Sequence, residues 1–335
     1  MIELLGRKFL QKLPAETAHD LSIKLLNSPA SNFVSYKTIE NPIELFGVKF
    51  TNPVGLAAGF DKNADAVKGL SKLGFGFIEV GTVTPKPQNG NPKPRLFRLP
   101  DNQAIINRMG FNNKGVNHLV ENLKRSRPNI IIGINIGKNK TTPNESATED
   151  YVHCFNKVHE LADYVTINIS SPNTIDLRQL QDNENLTKLL SELKKVQLEA
   201  EKNTKKYTPI VVKIAPDQDD KTTTTIAQTI KNTGMDGIIC TNTTIDKNKL
   251  KKELHQNQTG GLSGKPLLSR SNEIIKIVRA SVGSDFPIIG VGGILTEADA
   301  MSKIHAGANL VQIYTGFIYH GPQLIKSINK RLKAQ

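Results

Sequence analysis

Eight short apolar runs, each about a strand long and most rich in β-branched residues, recur along the chain with helix-sized intervals between them, and this alternation narrows the fold most. They are Pro53-Val-Gly-Leu-Ala57, Phe77-Ile-Glu-Val80, Ile130-Ile-Ile-Gly-Ile-Asn-Ile136 and Tyr164-Val-Thr-Ile-Asn-Ile169, followed by Ile210-Val-Val-Lys-Ile214, Gly237-Ile-Ile-Cys-Thr241, Pro287-Ile-Ile-Gly-Val291 and Leu310-Val-Gln-Ile-Tyr314. A run that is apolar on both faces must be covered on both, which a parallel sheet sheathed in helices provides. Eight such units predict an α/β fold, a (β/α)8 TIM barrel of about 250 residues. The rest of the 335 residues is decoration, including an N-terminal helical appendage over 1–40 ahead of a barrel domain over 41–335. Trp is absent and aromatics are only 5%, so the expected interior is aliphatic.

Barrels of this kind keep their chemistry where the strands end, and polar residues gather there in this chain. Asp61 and Lys62 follow the first run, Thr82 the second, and Asn135 lies in the third. After the fourth comes Asn168-Ile-Ser-Ser-Pro-Asn-Thr174, whose amides can each offer a donor and an acceptor, and whose Pro172 stiffens the turn carrying Ser170 and Ser171. A serine there could move a proton; alternatively Ser, Pro and Asn serve only their turn preferences. Lys213 sits inside the fifth run, where a charge is expensive unless an anion meets it. Thr241-Asn-Thr-Thr244 closes the sixth, and Gly292-Gly293 and Tyr314-Thr-Gly-Phe317 close the last two, where barrels often bind phosphate. A phosphate-bearing cofactor fits this pattern.

Two connections, Thr84 to Asn129 and Ile245 to Phe286, are too long for simple barrel helices and read as functional loops or lids. The first holds Asn107-Arg-Met-Gly-Phe-Asn-Asn113; the second holds Thr259-Gly-Gly-Leu-Ser-Gly264, which could wrap a phosphate or simply turn. In the appendage, Ile2, Leu5, Phe9 and Leu13 recur at helical spacing. Pro14 suits a helix start, and Ala18, Leu21 and Leu25 continue a second stripe, with Arg7, Lys8, Lys12 and Lys24 around it. Such a segment is either a cap on the barrel bottom or an element lying on a membrane surface.

The formal charge of +13 and pI near 9.5 invite a nucleic-acid or anionic-membrane reading, but the lysines are dispersed, as in Lys194-Lys195, Lys205-Lys206 and Lys251-Lys252. A solvated surface with no nucleic-acid partner is the expectation. Cys154 and Cys240 lack the number and spacing of a disulfide framework or zinc site and read as packing residues. His153 and His159 read as structural, and no metal constellation, Walker loop or G-x-G-x-x-G opening a helix is present, so no metal is expected. There is no apolar run of 18 residues and no secretory or transit signal. The residues alone leave a rival open: a phosphate-binding barrel lyase or isomerase with Lys213 forming a Schiff base. A non-catalytic basic module would leave the strand-end amides unexplained.

Six segments carry a family resemblance: Gly55-Leu-Ala-Ala-Gly-Phe-Asp-Lys62, Glu79-Val-Gly-Thr-Val-Thr-Pro85, Asn107 to Asn113, Asn168 to Thr174, Thr241 to Thr244, and Gly290-Val-Gly-Gly-Ile294. In this order they resemble the dihydroorotate dehydrogenases, specifically the membrane-associated, quinone-reducing class 2 branch, from the N-terminal helices to Gly321-Pro322. The resemblance implies an FMN-containing barrel that oxidises (S)-dihydroorotate to orotate in pyrimidine synthesis. It implies flavin contacts from Ala58, Gly59, Phe60, Asp61, Lys62, Thr82, Asn135, Asn168, Lys213, Thr241, Gly264, Gly293, Tyr314 and Thr315. Substrate contacts would come from Lys62, Asn107, Arg108, Met109, Gly110, Phe111, Asn168, Asn173, Asn242 and Thr243, with Ser171 as catalytic base. Class 1 relatives use cysteine as that base, and neither Cys154 nor Cys240 falls in the matching loop. A neutral serine needs a proton acceptor beyond it, ordered water or the Thr174 hydroxyl. Phe60 and Thr315 stand at positions that vary within the family. The branch further implies a membrane quinone partner and peripheral attachment, through the N-terminal helices, to the cytoplasmic side of a bacterial inner membrane. Which quinone is used, and how many subunits assemble, the sequence leaves open.

Overall fold

The β-branched runs become the staves of a closed barrel. The structure, a computed structural model, describes residue 6, residues 9–174 and residues 177–334. Strands β1 (Ile43–Leu45) and β2 (Val48–Phe50) form an antiparallel hairpin. The barrel begins with β3 (Val54–Leu56) and β4 (Phe77–Val83). Outside it, β5 (Leu96–Leu99) and β6 (Ala104–Asn107) interrupt the series, which resumes with β7 (Ile131–Ile136), β8 (Tyr164–Asn168), β9 (Ile210–Ile214) and β10 (Gly237–Cys240). Another outside strand, β11 (Gly261–Gly264), precedes β12 (Ile288–Val291) and β13 (Leu310–Ile313). Around the barrel the order is β3, β4, β7, β8, β9, β10, β12, β13, each parallel to the next, with β13 closing on β3. Each of the eight sequence runs supplies one of these strands.

Alternation along each strand sorts the side chains. Ile78, Val80, Ile132, Ile134, Val165, Ile167, Val212 and Ile238 point outward into the main apolar core beneath the helices. The inward set is smaller and more mixed: Phe77, Tyr164, Val211, Ile239, Ile289 and Leu310 fill the lower barrel. Above them lies a polar layer in which Glu79, fully buried, accepts hydrogen bonds from Asn135 Nδ2 (2.8 Å), Tyr164 OH (3.0 Å) and Gln312 Nε2 (2.7 Å). Burying a carboxylate is tolerable only with donors in place, and three are supplied.

The β1–β2 hairpin plugs the barrel bottom. Its Phe50 ring meets Phe77 edge-on at 5.1 Å, and Phe46 lies 5.9 Å from Tyr164. The reading of the appendage as a bottom cap is therefore corrected: that place is taken by the hairpin. The helix Ala15–Asn27 starts after Pro14 and packs instead against β5 and the segment after β3. Ile2, Leu5, Arg7 and Lys8 lie outside the described residues. The two long connections are joined to each other: β11 pairs antiparallel with β6, and β6 with β5, giving a three-stranded sheet beside the barrel mouth. Arg95 of this region pairs with Glu16 at 2.7 Å, and Arg98 donates to the carbonyls of Leu10 (3.1 Å) and Leu13, so the sheet carries the N-terminal helices.

Candidate active site

The strand-end residues surround one cavity at the C-terminal mouth of the barrel. At its β8 side, Ser171 is buried on the turn after Asn168, and its Oγ accepts from the Asn173 amide at 3.3 Å. No hydrogen bond joins it to Thr174 among the described residues. Asn168 is fixed from below, donating through Nδ2 to Thr82 Oγ1 (3.0 Å) and Asn135 Oδ1 (3.2 Å), while the Thr82 hydroxyl donates to Asn135 Oδ1 at 2.5 Å. Asn242 Nδ2 reaches Ser170 Oγ at 3.0 Å, and Asn173 Nδ2 reaches Asn107 Oδ1 at 3.2 Å. Four carboxamides from three different segments, those of Asn107, Asn168 with Asn173, and Asn242, thus converge beside one serine. Such a set suits a flat ligand with alternating donors and acceptors.

Two lysines face the same space. Lys213 comes up from β9, and burial holds its ammonium below the ordinary lysine range, opposed by the charge of Glu79. It makes no hydrogen bond or ion pair within the protein among the described residues. Lys62 donates to the Gly59 carbonyl at 2.9 Å, and burial, reinforced by Arg95, lowers its pKa to about 8. A buried cation without a partner is an invitation to an anion.

The opposite wall is backbone. Gly292 and Gly293 after β12 adjoin Tyr314, Thr315 and Gly316 after β13, and Gly264 closes the edge from β11. At Gly293 φ is +80°, and a Cβ would come within 2.5 Å of Leu268 Cα, so the chain passes too close for any side chain. The hydroxyl of Thr315 donates to Ser263 Oγ at 2.9 Å. Bare backbone at adjacent strand ends can hold a phosphate, and together with unpaired Lys213 it fits a phosphate-bearing, anion-forming cofactor.

Of the predicted residues, Ala58, Gly59, Lys62, Thr82, Asn107, Met109, Gly110, Phe111, Asn168, Ser171, Asn173, Lys213, Thr241, Asn242, Thr243, Gly264, Gly293, Tyr314 and Thr315 line this cavity. Four lie off its wall. Asn135 sits one layer below, holding Thr82 and Asn168. Asp61 turns its carboxylate to the amides of Asp65 (2.8 Å) and Ala66 (2.7 Å), and burial raises its pKa to about 6. Arg108 donates to Gln258 Oε1 (2.9 Å) and the Pro94 carbonyl (2.8 Å) over the Phe97 ring, tying the inserts together. Phe60 faces a second, apolar cavity. Conversely, Ser263, Leu267, Val291, Gln312 and Ile294 line the main cavity unpredicted. Inward alternation on β12 and β13 marks Val291 and Gln312; nothing local marks Leu267.

The second cavity lies between the helix Ala15–Asn27 and the barrel, lined by Leu10, Ala18, His19, Phe60, Arg98 and Phe317 among others. Tyr314 lines both cavities, so its ring forms part of the wall between them. Burial drives the His19 pKa down to about 3, leaving it neutral against Phe60 at 5.3 Å.

Comparison with known proteins agrees with this architecture. Residues 42–335 match the family described as dihydroorotate dehydrogenase. A Vibrio parahaemolyticus protein named dihydroorotate dehydrogenase (quinone) is 51% identical over 99% of this chain and 100% of its own length. One of the same name from Dechloromonas aromatica is 50% identical over 99% of this chain and 98% of its own. Among solved structures, DHODH from Eimeria tenella in complex with ferulenol superimposes with a TM-score of 0.88 at 39% identity, covering 95% of this chain and 90% of that one. Matching in sequence and in fold, the chain belongs to the dihydroorotate dehydrogenase family.

Proposed function

We propose that this protein oxidises (S)-dihydroorotate to orotate with FMN as its bound cofactor and a membrane quinone as final acceptor, in de novo pyrimidine synthesis. The observation that carries the reading is Ser171 set among Asn107, Asn168, Asn173 and Asn242 in the cavity that Lys62 and Lys213 also face. The amides match the imide edge of the pyrimidine, and Lys62 matches its carboxylate. Ser171 Oγ takes the proton from C5 as the hydride departs C6 and the C5–C6 double bond forms. The flavin, when bound, supplies the two-electron acceptor. Lys213, facing the cavity from β9, would offset the negative charge that a bound flavin gains on reduction. The backbone of Gly293 and Thr315 and the edge at Gly264 hold the phosphate.

The second cavity supports the quinone step. It is largely apolar and offers Arg98 and His19 to a quinone's carbonyls, and Tyr314 is shared between its wall and that of the cavity that would hold the flavin. Among the described residues no helix is long and apolar enough to cross a membrane. On this reading the appendage over 1–40, with its apolar stripe and basic residues, attaches peripherally to the cytoplasmic side of the inner membrane, and 41–335 forms the catalytic unit.

Anaerobic mixing of the yellow protein with dihydroorotate should bleach its flavin band, and a quinone should restore it. Ser171→Ala should keep the flavin but bleach about 10²–10⁴-fold more slowly, the usual contribution of a positioned base. A colourless protein, or one that borohydride traps on a carbonyl substrate through Lys213, would overturn the reading.

A further inference from the structure

Strand ends are fixed by the barrel ladder, but the turns beyond them are not, and three consecutive turns must hold still for the proposed reaction. The turn after β8 carries Ser171, the one after β9 carries Asp217, and the one after β10 carries Asn242 and Thr243. One side chain touches all three. Arg178, on the short turn Leu177–Gln181, donates from Nε to the Ser170 carbonyl (3.1 Å), from one Nη to Asp217 Oδ2 (2.7 Å), and from the other Nη to the Thr243 carbonyl (3.1 Å). Asp217 in turn accepts from the Thr244 hydroxyl and from the Ile245 amide (3.2 Å). The pair is largely shielded, with side chains only 20% and 15% exposed.

Neither Arg178 nor Asp217 lines the main cavity. Their contacts are to the backbone on either side of the substrate face: Ser170, next to Ser171, and Thr243, next to Asn242. The cross-tie from Asn242 Nδ2 to Ser170 Oγ at 3.0 Å closes the ring on the cavity side. We propose that the Arg178–Asp217 pair is a latch that sets Ser171 against the substrate, making Arg178 a positioning residue for proton abstraction. This rests on the functional reading above. The planar guanidinium fork sends donors in three fixed directions, a geometry that a lysine's single ammonium cannot reproduce. The turn has a second anchor: Gln181 donates to the Ile169 carbonyl (3.4 Å) and accepts from the Ala215 amide (3.1 Å). Loss of the latch should therefore loosen the serine without unfolding the turn.

The test uses the flavin-loaded full chain and separates the two half-reactions. Arg178→Ala, Arg178→Lys and Asp217→Asn should retain flavin and be reoxidised by a short-chain quinone at the wild-type rate. Flavin reduction at saturating dihydroorotate should fall about 10²-fold, the scale of a misplacement near 1 Å. The double variant Arg178→Ala/Asp217→Asn should lose no more than either single one, because the two act as a unit. Reduction at the wild-type rate in Arg178→Lys, additive losses, or equal losses in reoxidation would overturn the latch. If Arg178→Ala fails to fold, Arg178→Lys and Asp217→Asn decide the matter alone. Failure of the wild-type protein to bleach with dihydroorotate would instead sink the functional reading.

Discussion

Lys62 and Lys213 reach the same cavity in different electrical states. Lys213 has only the distant help of Glu79, whose carboxylate is already engaged by three donors. Lys62 lies near Glu16, Asp20 and Asp61, which oppose burial and Arg95, and its pKa settles at about 8. That value puts its proton within reach of ordinary assays. If Lys62 holds the substrate carboxylate, the free enzyme loses its grip as pH rises through about 8, since the neutral amine no longer attracts an anion. We expect kcat/KM for dihydroorotate to fall above that pH in the wild type, and Lys62→Gln to be weaker throughout but flat over the same range. A pH profile of flavin reduction checks both; an unchanged descending limb in Lys62→Gln would assign the titration elsewhere. Lys213 was readable in the sequence because a lysine amid isoleucines and valines demands a reason. At Asp61 a carboxylate stands at a strand end, where a ligand contact is expected, and its oxygens serve backbone amides one turn away. Sequence shows where a polar residue stands, not which way it faces.

Elements were readable in proportion to how local their causes are. The barrel strands announce themselves through continuous apolar composition, but the sheet of β5, β6 and β11 does not. Its register joins Asn107 to Gly261 across two inserts, and no short-range pattern encodes a pairing over that separation. The bottom plug did carry a local sign: alternation in Ile43-Glu-Leu and Val48-Lys-Phe flanks Phe46-Gly47, both with positive φ, as a tight hairpin turn requires. The helix Glu297–His305 shows a different economy. A capping box of Thr296 and Asp299 starts it, yet its Lys303 is fully buried, donating to Ser271 Oγ and Asn272 Oδ1 at 2.9 Å each. Ser271 passes the tie on to the Val291 carbonyl at 2.7 Å, directly before Gly292. Burial lowers the Lys303 pKa from 10.5 to about 7. Below that pH both folded and unfolded chains carry the proton and the buried charge weighs in full; between about 7 and 10.5 only the unfolded chain binds it, so stability rises with pH. Lys303→Met removes this slope. Urea midpoints at pH 6.5 and pH 9.5 should therefore favour the variant, relative to wild type, more at the lower pH. A gap independent of pH would mean that the charge is not buried in solution.

For the whole molecule, the arrangement places one chemistry on each side of Tyr314: amides, lysines and Ser171 in the barrel mouth, and a largely apolar cavity under the N-terminal helices. The sequence marked the strand-end residues and the apolar stripes of the appendage but not the cavity between appendage and barrel, because the inserted sheet brings them together through Arg95 with Glu16 and Arg98 with the Leu10 and Leu13 carbonyls. Around the appendage, Phe9, Leu25, Phe33 and Val34 remain exposed, Phe33 at 92%. Rings left in water at the rim of an apolar cavity are suited to a lipid surface, each contributing about 1.5–3 kcal/mol when buried. Deleting the chain up to Tyr36 would also uncover Phe60 and Phe317, which line that cavity, so a gentler variant gives the cleaner answer. Phe9→Ser/Phe33→Ser leaves the helix Ala15–Asn27 and the cavity wall in place. In a flotation assay with anionic vesicles we expect this double variant to bind at least about tenfold more weakly, since 1.4 kcal/mol is a factor of ten. Its flavin reduction by dihydroorotate should be unchanged, because neither ring lines the barrel mouth. Turnover with a long-chain quinone held in the vesicles should fall with binding, while turnover with a soluble short-chain quinone should not. Equal flotation of variant and wild type would show that these rings do not anchor the protein, and the second cavity would then have to fill from water.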